Sequence, residues 1–173
     1  YDAGTGLVTI QLSGLTYGSH TLLLDLSDNA GNAATQQSMS FTIGDTVAPV
    51  IDDTSWSTAE GSWITSNSLT VTVDVSDAAP SSGINAGSVS ASVTGGTVDS
   101  ATYDAVTGEV TIQLSGLSEG SHTLSLELSD NAGNAATQQT LNFGVDTVAP
   151  VIDDLSWNPA DGSTFDDQTA LTV

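Results

Sequence analysis

Four side chains in this sequence carry the hard oxygen chemistry that a divalent cation takes: Asp45, Asp77, Asp130 and Asn134. Calcium binds about six to eight oxygen ligands, drawn from carboxylates, amide oxygens and backbone carbonyls. Part of the set is written twice. Asp28 and Asn32 repeat Asp130 and Asn134, and Asp146 repeats Asp45. The segment Ser129-Asp130-Asn131-Ala132-Gly133-Asn134 also has a second reading. Asp and Asn accept backbone hydrogen bonds in tight loops and Gly133 supplies a positive φ, so the same residues can shape a turn without an ion. Neither an EF-hand loop nor a glycine-aspartate nonapeptide occurs, so any cation site must be assembled from loops remote in sequence. Asp52-Asp53 and Asp153-Asp154, on the first strand of successive repeats, form a second tier of candidates.

Other chemistries lack parts. A nucleophile needs an adjacent base and an orienting partner, and the two histidines, His20 and His122, recur at one place in a framework motif. Neighbouring carboxylates such as Asp52-Asp53 point to opposite faces of a strand and cannot flank one scissile bond. The sequence therefore predicts no enzyme. One histidine per repeat is not a transition-metal site, and a bond from its ring to a nearby carbonyl at a strand edge is expected instead. Trp56 and Trp157 recur after the first strand and are expected to close one end of a core, with sugar stacking as the competing use. Trp63 has no counterpart; Thr164 stands in that place.

The elements that must position these residues follow from a repeat. Tyr1 to Phe41 is nearly rewritten from Tyr103 to Phe143: Val8-Thr9-Ile10-Gln11-Leu12-Ser13-Gly14-Leu15 matches Val110-Thr111-Ile112-Gln113-Leu114-Ser115-Gly116-Leu117. A unit of about 100 residues is long for a solenoid turn and suits a domain that closes its own core. The recurring linker Asp45-Thr46-Val47-Ala48-Pro49 and Asp146-Thr147-Val148-Ala149-Pro150 sets the phase. Residues 1–45 are expected to be the back of one repeat, 46–146 a complete repeat, and 147–173 the front of the next.

Alternation with period two marks the strands. Leu69, Val71, Val73 and Val75 alternate with polar residues, as do Val110, Ile112 and Leu114, and then Leu124, Leu126 and Leu128. Further strands are expected over Val50 to Ser55, Ser88 to Val93, Thr97 to Tyr103 and Thr137 to Val145. About seven strands with no helical period predict an all-β fold, tandem immunoglobulin-like β-sandwiches. Strands running alternately up and down would gather the linker at Asp45, the Asp77 to Asn85 loop and the Asp130 to Asn134 loop at one pole. Ser57 to Asn67, Gly95-Gly96 and Ser118-Glu119-Gly120 would lie at the other.

Composition bounds the partners. The 173 residues hold 21 acidic side chains and no Lys or Arg, a formal charge of −21. Phosphate backbones and anionic lipid need cationic side chains, so nucleic acid and electrostatic membrane docking are excluded. No run approaches the roughly 20 apolar residues of a membrane helix. Cysteine is absent, so no disulfide staples the fold.

With the linker Asp45-Thr46-Val47-Ala48-Pro49, the centre Ser82-Gly83-Ile84-Asn85 and the run Gly120-Ser121-His122-Thr123-Leu124 into Ser129-Asp130, the chain resembles the bacterial immunoglobulin-like repeats of giant secreted adhesins and biofilm-associated proteins. The resemblance implies an extracellular, cell-surface spacer whose partners are its neighbouring repeats, other copies in a fibre, and calcium (Ca2+) at the domain junctions. Two alternatives stand beside it: a subunit of a self-assembling surface filament or S-layer, and a carbohydrate-binding module with an exposed aromatic platform at Trp56. Phe41-Thr42-Ile43-Gly44-Asp45 shortens by one residue in Phe143-Gly144-Val145-Asp146, which predicts that the two junctions differ in bend or twist.

Overall fold

The computed structural model describes residues 1–152 together with Gly162 and Thr164. Asp153, Asp154 and Trp157 lie outside the described residues, as does most of the 147–173 segment and with it the comparison of the two junctions.

The alternating segments become two four-stranded sheets. The first contains β3 (Val50–Ile51), β5 (Leu69–Ser76), β7 (Thr97–Asp104) and β8 (Glu109–Ser115), in the order β3-β5-β8-β7. The second contains β4 (Trp63–Ile64), β6 (Ser90–Val93), β9 (Gly120–Glu127) and β10 (Gln139–Val145), in the order β4-β10-β9-β6. Inward-facing Val71, Val73, Val110 and Ile112 from one sheet meet Leu124, Leu126, Leu141 and Phe143 from the other, all nearly or wholly removed from water. Each such burial contributes about 1.5–3 kcal/mol relative to an exposed side chain, which makes this interface the main source of stability.

The expected first strand, Val50 to Ser55, is cut short. β3 ends at Ile51 because the Asp52 carboxylate turns back onto its own chain, accepting from Thr54 N at 3.0 Å and Thr54 Oγ1 at 2.7 Å. The chain then crosses to the other sheet, where β4 pairs in parallel with β10, Trp63 opposite Gly144 and Ile64 opposite Val145. The repeat thus has eight strand segments rather than about seven, since one strand is split between sheets. The start expected at Ser88 is instead a 3-10 turn, Ala86–Ser88, capped by the Asn85 side chain.

Residues 1–45 show how much of this depends on partners. β1 (Gly18–Leu24) and β2 (Gln37–Ile43) form an antiparallel hairpin in the register of β9 and β10, His20 opposite Phe41 as His122 is opposite Phe143. Yet Val8 to Leu12, identical to the central stretch of β8, forms no strand. In the complete repeat β8 is held between β5 and β7; residues 1–45 contain no counterpart of β5 and, of β7, only Tyr1-Asp2, which aligns with its last two residues and bridges Leu7, and a strand without its ladder gains no packing.

Candidate cation site at the linker pole

The three loops expected at one pole meet there. Asp45, only 7% exposed, ends the segment preceding the sandwich. Its Oδ1 accepts from Val47 N at 2.9 Å and its Oδ2 from Ser82 N at 2.7 Å, so one carboxylate ties the linker to the loop after β5. Those donors, Val47 N first, hold the Asp45 carboxyl below the ordinary carboxylate range against the opposing effect of burial.

Asp77 follows β5 directly. Its Oδ2 accepts from Ser81 Oγ at 2.7 Å and Gly83 N at 2.9 Å. Gly83 reaches that position with φ +79°, a conformation that favours glycine. The other oxygen, Oδ1, is buried and has no hydrogen-bond partner among the described residues.

Asp130 is wholly buried. Its Oδ1 accepts from Asn134 N at 2.8 Å and its Oδ2 from Asn134 Nδ2 at 2.6 Å, the turn geometry that the Asp-x-x-Gly-Asn spacing allows. Asn134 Nδ2 also reaches the carbonyl of Asp45 at 3.2 Å, so the amide bridges turn and linker. Asn131 fastens the third side, donating from Nδ2 to Ser82 O at 2.9 Å and from its backbone to Gly83 O at 2.8 Å. The tethers from Ser82 and Asn131 were not singled out from the sequence, because a backbone donor and a loop amide carry no periodic signal.

One oxygen from each of Asp45, Asp77 and Asp130 lies within 4.8 Å of the others. Like charges at that separation repel, more strongly as water is excluded. A chain without Lys or Arg offers no ammonium or guanidinium to offset them. Turn formation and ion binding are therefore not alternatives by geometry: Asn134 satisfies the turn, and the carboxylates still converge.

The remaining candidates stand apart from this cluster. Asp28 and Asn32 reproduce the turn, with Asn32 Nδ2 donating to Asp28 Oδ2 at 2.7 Å, but both are exposed. The Asn32 side chain is the main cause that lowers the Asp28 carboxyl. Asp146 accepts from Val148 N at 3.0 Å, as Asp45 does from Val47, and is exposed beyond the opposite pole. There Glu119 accepts from the backbone N and the hydroxyl of Thr147, pinning the outgoing linker. Asp52 is engaged with Thr54, and Asp53 is exposed.

As expected, His122 bonds nearby carbonyls close to the start of its strand: it is buried on β9, with its ring nitrogens at 2.7 Å from Ser118 O and 2.5 Å from Thr94 O. It stacks on Phe143 at a centroid distance of 5.3 Å. Trp56 packs half-buried against the core, as expected.

Among solved structures, CopC from Methylosinus trichosporium OB3b is similar at 14% identity and TM-score 0.45, over 60% of this chain and 99% of that one. The fibronectin(III)-like modules of Clostridium thermocellum CbhA are similar at 19% identity and TM-score 0.42, over 78% of this chain and 65% of theirs. The S-layer protein SbsC is similar at 16% identity and TM-score 0.38, over 82% of this chain and 22% of its own. This chain thus spans less than two thirds of the latter two. No curated protein sequence matches it. Residues 82–147 match the family model for the bacterial Ig-like domain. The matched residues include β6 to β10 of the sandwich.

Proposed function

We propose that this chain is a structural spacer of a bacterial extracellular surface protein, stiffened by calcium at the pole where each linker enters its sandwich. The observation that carries the reading is the convergence of Asp45, Asp77 and Asp130, one from the linker and two from loops, with Asp77 Oδ1 buried and unpartnered. The donors fit a hard cation: all are oxygens, and the site contains no thiolate or imidazole. Bound calcium supplies positive charge among the three carboxylates, and Asp45 makes the linker part of the site. A hinge held in this way lets an acidic chain extend. Near-identical neighbours suit this role, because each repeat of an array contacts mainly the next.

The test is a calcium titration followed by chelation, read by thermal melting and small-angle scattering. Melting temperature should rise and fall reversibly, with the linker pole losing flexibility. At free calcium about 100 times the dissociation constant the gain is about 2.7 kcal/mol. Unchanged melting and scattering across the titration would overturn the metal mechanism.

A further inference from the structure

The outward side of β10 carries a feature that a spacer does not need. The crossover from β3 to β4 leaves an open cleft of about 460 Å³ against β10, lined among others by Asp53, Trp56, Thr58, Glu60, Thr140 and Asn142. Two polar residues on its wall are already ordered. Glu60 accepts from Asn142 N at 2.9 Å and from Asn142 Nδ2 at 2.8 Å, and Asn142 Oδ1 accepts from Thr123 Oγ1 at 2.7 Å. The Trp56 indole N–H is buried and has no partner among the described residues.

Trp63 is not part of the lining but pairs with Gly144, two residues beyond Asn142 along β10. Thr140, Asn142 and Gly144 are successive residues on one face of β10, and the Trp63 ring lies over Gly144. One face of the indole is covered by that backbone. The residue is nonetheless 63% exposed, which leaves the other face to solvent. The inward core does not require it, and Thr164 occupies the aligned place in the following repeat.

We propose that this cleft binds a neutral oligosaccharide, with Trp63 as the stacking platform. A pyranose ring presents C–H groups to an aromatic face, while its hydroxyls pair with carboxylates, amides and threonine hydroxyls. Those are the side chains lining the cleft. The same lining rejects an anionic ligand, since Asp53 and Glu60 face it and the chain has no Lys or Arg. The carbohydrate reading that the sequence attached to Trp56 thus moves to Trp63, because Trp56 is half-buried in the sandwich. The proposal is independent of calcium.

The experiment titrates the whole chain with cellohexaose, laminarihexaose and mannohexaose, read by tryptophan fluorescence and by NMR shifts of the Trp63 indole N–H, Glu60 and Asn142. At least one probe should give a saturable change centred on those three residues. Trp63→Thr, which installs the residue found in the aligned place, should weaken binding by about tenfold or more, while the melting temperature stays near that of the parent. Silence at Trp63 with all three probes, saturable change centred elsewhere, or unaltered affinity in Trp63→Thr would each overturn the proposal.

Discussion

The indole of Trp63 lies across the backbone of Gly144. A Cβ built at position 144 would come within 2.5 Å of Trp63 Cδ2 and Cε3 and 2.7 Å of Cε2, a spacing that only a hydrogen tolerates. The two residues face each other in the parallel pairing of β4 with β10, where Gly144 N also donates to Ser62 O at 2.8 Å. The copies vary at both places. Thr42 holds the position of Gly144 in β2, and Thr164 holds that of Trp63.

Gly144→Thr should therefore displace the indole and weaken the β4 edge, at a cost of about 1–3 kcal/mol for overpacking. Trp63→Thr in the same background should recover most of that loss, because the clash needs both partners. A double-mutant cycle read by chemical denaturation measures the coupling. Additive effects would show that the ring does not rest on the glycine.

At the linker pole, Asp77→Asn should have opposite effects in two buffers. With chelator it should leave stability equal or raised, since it removes one of three converging charges while an amide oxygen can still accept from Ser81 and Gly83. With calcium in excess it should forfeit much of the metal-linked gain of about 2.7 kcal/mol. Melting curves of parent and variant in both buffers test the reversal. A loss of equal size in both would mean that Asp77 serves only the loop.

The meeting of Asp45, Asp77 and Asp130 was legible in the sequence because it needed only strand direction and loop order, both of which follow from alternation and turn residues. The split of the first strand was not. Val50 to Ser55 reads as one run, and nothing local announces that Asp52 will cap Thr54 and send the chain to the other sheet. A two-residue strand such as Trp63–Ile64 has no period to detect, so its pairing with β10 is purely a tertiary fact. The stretch Val8 to Leu12 makes the same point from the other side, since its pattern is that of β8 but its ladder is absent.

Glu60 fastens the crossover loop to β10, and its carboxyl is lowered from the ordinary glutamate value chiefly by the backbone N–H of Asn142 and then by that residue's side chain. A depressed folded pKa stabilises the fold above the unfolded pKa, and this contribution is lost as pH falls through the folded value. Glu60→Gln should thus cost stability near neutrality, where the parent's contribution is fully present, and flatten the acid limb below about pH 4.5, where the two profiles converge. Parallel pH-dependent limbs for parent and variant would contradict the assignment.

One liability emerges only from register. Glu109 on β8 sits opposite Asp74 on β5 and opposite Asp104 on β7, and Asp52 N donates to Asp74 O at 3.0 Å, so four acidic residues form a row across the outer face of one sheet. Directly opposed like charges on neighbouring strands destabilise a sheet by about 0.2–1 kcal/mol per pair. The same row opposes edge-to-edge pairing of β7 with another sheet, which near-identical neighbouring repeats would otherwise invite. Glu109→Gln, at the centre of the row, should raise the unfolding free energy at low salt, and the gain should shrink as salt screens the parent. It should also leave the protein more prone to self-association, seen in sedimentation at high concentration. A variant no more stable than the parent at low ionic strength would show that the row is already relaxed by solvent.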